Sequence, residues 1–133
     1  MKVTAEFEVT GWKPVSSEQP EVGPGLSRVE ITKSFGNSGL VGASKGEGLF
    51  CGMGDPEKGA GYVVSERFTG ELDGRSGTFV LQHGGLLGPG MAPHSFGNIV
   101  PGSGTGDLEG VSGTMEISRT DDGAHLLTLE YDL

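Results

Sequence analysis

The chain has 133 residues, enough for one domain around a single core, so 1–133 is read as one unit. Its 18 acidic against 9 basic residues, net charge -9, and the absence of any Lys/Arg cluster argue against nucleic acid or an anionic membrane as partner. One cysteine, Cys51, excludes an internal disulfide; with no apolar leader in "MKVTAEFEVTG" and no long apolar run, the expected location is the reducing cytoplasm.

Glycine (26) and proline (7) are abundant, yet the segments between them keep a period of two, as disordered low-complexity chain does not. In chain order, strands are expected near 2–12, 26–35, 43–52, 60–72, 76–84, 91–101, 112–119 and 125–132, with no credible helix. Strand one sets Val3, Ala5, Phe7 and Val9 against Lys2, Thr4, Glu6 and Glu8, and strand eight sets Leu127, Leu129 and Tyr131 against Thr128, Glu130 and Asp132. Turn chemistry separates the strands at 19–25, 54–61, 84–90 and 120–123. Leu-x-Gly-x-Ser occurs three times, as "LVGAS" from Leu40, "LDGRS" from Leu72 and "LEGVS" from Leu108; each copy is read as a hairpin turn, with Asp73-Gly74 the clearest signal. Short connections and two edges to hide favour an all-β, eight-stranded antiparallel up-and-down barrel.

Strand five carries Phe79, Val80 and Leu81, apolar on both faces, which predicts cover from outside and hence a homo-oligomer. Strand four places Glu66 on the apolar face formed by Tyr62, Val64 and Phe68. A tight Asp73-Gly74 turn sets Leu72 against Arg75, Glu66 against Leu81 and Val64 against His83. If the following loop is centred on Gly88-Pro89, His83 faces His94, and Phe96 and Asn98 follow on that side. Glu66, His83 and His94 then converge, an arrangement suited to proton transfer or to a two-histidine, one-carboxylate metal site.

The expectation is no metal and no cofactor. Glu66 and His83 are the catalytic candidates, and Tyr62, Val64, Glu66, Phe68, Leu81, His83, His94 and Phe96 line the expected cavity. Trp12 is read as a core cap or part of a cavity rim, and His125 as solvated. "PGSGTGD" lacks the lysine and following helix of a phosphate loop and is read as a bulged bend in a barrel strand.

At "GRSGTFVLQHGG" and "IVPGSGTGDLEGVSG", and also at "LSRVEITKSF", "SERFTGEL" and "TLEYDL", the chain resembles the bacterial proteins grouped as domain of unknown function 3224. The resemblance covers nearly the whole chain and implies a barrel similar to allene oxide cyclase, with a central cavity, but no reaction. Plant allene oxide cyclase acts on an unsaturated fatty-acid epoxide, and no motif here matches its site. A tryptophan usual in the family shortly before Val-Pro-Gly is replaced here by Phe96-Gly97. The leading expectation is a barrel that binds a small apolar or amphipathic molecule. The competing readings are an isomerase or cyclase using Glu66 and His83, and a structural or assembly module with a solidly packed barrel.

Overall fold

The computed structural model describes residues 1–37, 39–52 and 56–133. Eight antiparallel strands, β1 (Lys2–Ser17), β2 (Leu26–Asn37), β3 (Leu40–Cys51), β4 (Ala60–Leu72), β5 (Arg75–Leu87), β6 (His94–Ile99), β7 (Ser112–Arg119) and β8 (His125–Asp132), pair in sequence order. β8 returns to β1, with Lys2 opposite Glu130 and Phe7 opposite His125, so the sheet closes into a barrel without an edge. Single 3-10 turns occur at Pro56–Lys58 and Gly106–Leu108. The 54–61 turn signal is described only from residue 56 onward. Among the described residues no helix is long and apolar enough to cross a membrane.

Alternation selects the inner face as expected on β1 and β8: Val3, Ala5, Phe7, Leu127, Leu129 and Tyr131 are buried. Val9 breaks the rule, being 43% exposed, because the register shifts between Val9 and Gly11. The extra residue reverses the phase and brings Trp12 opposite the buried Ile31. A second shift between Pro14 and Ser16 lets β1 keep pairing with β2 to Ser17, five residues beyond the expected end.

Only one copy of Leu-x-Gly-x-Ser is a tight hairpin. Asp73 (φ 49) and Gly74 (φ 82) form a two-residue turn with both residues left-handed, and Leu72 faces Arg75 as anticipated. "LVGAS" lies within β3, which begins at Leu40, and "LEGVS" leaves the 3-10 turn and enters β7 at Ser112. What the copies share is the leucine: Leu40, Leu72 and Leu108 are each 0% exposed and belong to one core cluster. Backbone paired with a neighbour and a turn folded on itself can bury a leucine equally well, so the motif specifies burial rather than a turn.

The "PGSGTGD" segment is likewise not a strand bulge. It is a connection between β6 and β7 that runs along β5 where β6 has ended. Val100 N–H donates to Val80 O, Thr105 N–H to Thr78 O, and Ser103 Oγ accepts from Val80 N–H. It then sends Leu108 and Val111 into the core. Within the single chain Val80 is already half-buried, while Phe79 and Leu81 are fully inside.

Candidate functional site

Four polar residues are buried among the described residues: Lys33, Ser44, Glu66 and His83. They come from the inner faces of β2, β3, β4 and β5 and form one layer across the barrel. The Glu66 carboxylate accepts three hydrogen bonds: Lys33 Nζ to Oε2 at 2.8 Å, His83 Nε2 to Oε2 at 2.6 Å, and Ser44 Oγ to Oε1 at 2.7 Å. Burial by itself pushes the carboxyl upward. The His83 bond, the Lys33 charge and the Lys33 and Ser44 bonds outweigh it and hold Glu66 down at about 2. Glu66 is therefore an ionised acceptor with its oxygens engaged, not a free base. Lys33 also lies over the Phe7 ring, 5.0 Å from its centroid.

The layer separates two apolar regions. Below it lies a continuous core that includes Phe7, Phe35, Leu40, Phe68, Leu72, Phe79, Leu81 and Ile99. Glycine permits a close approach there: at Gly70 (φ 155) a Cβ would sit 2.2 Å from Val41 O and 3.0 Å from the Phe68 ring. Above it lies a smaller cluster of Val29, Ile31, Phe50 and Val64, with Tyr62 packed against it. On the outer face of the same end, an open groove of about 620 Å³ crosses β2 to β6, lined chiefly by apolar groups: Leu26, Leu49, Val63, Leu86 and Phe96 stand in the rows that point away from the core. Trp12, 52% exposed, leans on Phe50 with centroids 5.2 Å apart, so it belongs to the rim rather than the core. Phe50 stacks on Tyr62 at 5.6 Å, and Tyr62 meets His83 edge-on at 6.2 Å. Burial, and secondarily the negative Glu66, raise the Tyr62 phenol above its ordinary value, which keeps its proton in place.

The anticipated β4–β5 register holds: Glu66 faces Leu81 and Val64 faces His83. The β5–β6 register does not. His83 lies opposite Gly97, and His94 lies opposite Leu86. The loop is not a tight turn on Gly88-Pro89. Gly88 to Met91 form a turn with Pro89 second and Gly90 (φ 72) third, and Ala92-Pro93 extend it before β6 begins. The pairing sum moves by three residues, an odd number, so β6 presents Gly97 and Ile99 inward, while His94 and Phe96 are exposed. Of the anticipated lining residues, Glu66 and His83 sit in the polar layer, and Tyr62 and Val64 above it. Phe68 and Leu81 are fully buried in the lower core, Phe96 lines the outer-face groove, and His94 stands apart from Glu66. Among the described residues no group of three His, Cys, Asp or Glu side chains is placed to hold a metal ion. His125 is half-buried, stacked on Phe7 and bonded to Arg119.

Sequence reasoning misses Lys33 and Ser44. The signal for Lys33 is present, since it shares its parity on β2 with Val29, Ile31 and Phe35, all buried.

No curated protein matches the chain. A crystal structure of a protein with unknown function from the DUF3224 family, from Shewanella oneidensis MR-1, superposes with a TM-score of 0.88 at 34% sequence identity, covering 100% of this chain and 96% of that one. The family model described as "Protein of unknown function (DUF3224)" matches residues 3–131, and the chain belongs to that family.

Proposed function

We propose that the barrel binds a small, largely apolar molecule in the open groove that crosses β2 to β6. The observation that carries this reading is the groove of about 620 Å³, which is large enough for such a ligand and is walled by Leu49, Val63, Leu86 and Phe96, each about half exposed. A concave apolar surface with a few convergent polar groups is the usual form of a small-molecule site. The central lumen below the polar layer is packed, so the ligand lies on the outer face of the barrel and not in its middle. The test is titration with Nile red, a neutral apolar fluorophore. Binding to the wild type should raise and blue-shift the dye's own emission, and Leu49→Glu, which places a charge on the groove wall, should weaken it at least tenfold. Equal uptake by both proteins places the dye elsewhere and sinks the reading.

A second reading, proton transfer on a molecule that reaches the buried polar layer, is favoured by the 2.6 Å bond between His83 and Glu66. In that arrangement the imidazole is the moving acid or base and Glu66 is its positioning residue, with Lys33 and Ser44 holding the carboxylate.

A further inference from the structure

We propose that a second copy of this chain seats on the outer face of β3 to β6, related to the first by a two-fold axis that runs between β4 and β5. The strand registers set two rows side by side across the outside of the sheet: Arg28, Leu49, Val63, Gly84 and Phe96, and beneath them Glu30, Glu47, Ser65, Gln82 and Asn98. Leu26 and Leu86 stand in the row above. These five large apolar residues are each about half exposed and border one groove, an apolar surface of the kind that marks contact with another macromolecule.

Charge identifies the partner. The chain carries 18 acids against 9 bases, a net charge of -9, so two copies repel one another over most of their surfaces. This face is the exception. Its outward charges are Arg28, Lys45 and Arg67 against Glu30 and Glu47, and Glu18 at the margin of the groove completes the balance. The two-fold lays β4 on the partner's β5 and β3 on the partner's β6. Val63 then meets the partner's Gly84, and Leu49 meets the partner's Phe96. In the lower row Glu47 faces the partner's Asn98 and Ser65 faces the partner's Gln82, while Arg67 lies opposite the partner's Val80, so no charge is set against a like charge. Four strands and seven residues make this face about 19 by 23 Å, at the small end of specific interfaces, so the copies should associate at micromolar concentrations. The groove runs into this contact, and a molecule held there is enclosed by both copies. The pairing of copies does not depend on that molecule.

The experiment is sedimentation of the full chain from low micromolar to several hundred micromolar concentration. The wild type should pass reversibly from monomer to dimer. Val63→Arg, which buries an unpaired charge beside the axis, should weaken the dimer at least tenfold and, because Val63 faces outward, should leave the circular dichroism unchanged. Val41→Arg, at a similarly exposed valine near the far end of β3, should leave the dimer intact. In a Cys51→Ser background, Glu47→Cys together with Asn98→Cys should give a covalent dimer on oxidation. Within one chain those positions are three strand spacings apart, about 14 Å, too far for a disulfide. A monomer at every concentration overturns the proposal, as does a dimer that Val63→Arg leaves intact, that Val41→Arg disrupts equally, or that fails to cross-link. Nile red uptake is scored separately. Uptake by a chain that stays monomeric leaves the groove reading standing without this proposal, and a dimer that takes up no dye leaves this proposal standing without the groove reading.

Discussion

The two ends of this barrel carry matching rows of rings put to different use. At the lower end Phe7, Phe35, Phe68 and Phe79 follow one another at centroid distances of 5.4, 5.6 and 5.1 Å, and all four are buried. At the upper end Trp12, Phe50, Tyr62 and His83 follow at 5.2, 5.6 and 6.2 Å; His83 and Phe50 are buried, at 4% and 6% exposed, while Trp12 is 52% exposed. The lower row is sealed because the β6–β7 connection sends Leu108 and Val111 across its end. The upper row has no such plug among the described residues, and its last ring, Trp12, is left half exposed. Packing of the same kind is thus sealed where a loop closes over it and open at its edge where none does.

The largest effect that would break this comparison is loss of a lower ring. Phe68→Ala should cost about 3–5 kcal/mol in chemical unfolding, because a fully enclosed ring leaves a cavity that its neighbours cannot fill. Phe50→Ala, in the smaller upper cluster against the half-exposed Trp12, should cost less than half as much. Equal losses would mean that the upper end is as closed as the core.

Nearly as large is the effect of dividing the layer between the two ends. Glu66→Gln leaves the Lys33 ammonium buried without its counter-charge and should destabilise by about 3–5 kcal/mol. Adding Lys33→Met should recover most of that loss, since a buried pair replaced by neutral groups is often close to neutral in stability. If the double variant is no more stable than Glu66→Gln, the two residues are not coupled.

The same layer sets an acid limit. Glu66 titrates near 2 in the folded protein against 4.5 for an ordinary Glu, so it favours folding above about 4.5. This contribution, on the order of 3 kcal/mol, is lost as pH falls from 4.5 through 2. Unfolding free energy of the wild type should therefore fall across that window, and the curve for Glu66→Gln with Lys33→Met should be flatter there. Parallel curves would exclude Glu66 as the source.

The smallest expected effect lies outside the comparison and calibrates it. Gly74→Ala, at φ 82 with open space around its Cβ position, should cost about 1 kcal/mol through backbone strain alone and should leave Nile red uptake unchanged. A change in uptake would show that the lower hairpins and the groove are not independent.

Period-two alternation, read with the Asp73-Gly74 turn, was by itself enough to determine eight strands, the closed antiparallel barrel, and the placement of Glu66 and His83 on one inner face. Both signals are local: a side chain's face follows from its parity along a strand, and a two-residue turn leaves one register available. Lys33 was legible by the same parity but is easily passed over, since a lone lysine is ordinarily a solvent-facing residue. His94 was not legible. Its face depended on whether Gly88 to Pro93 formed a short turn or a longer one, and a change of three residues there turns every side chain of β6 over. The tertiary structure alone decided that Lys33, Ser44 and His83 meet on Glu66, and that one end of the barrel is plugged while the other is open. Those outcomes depend on where four separate strands stand relative to one another after closure and on how a long connection folds back, and neither is specified by the residues adjacent in the chain.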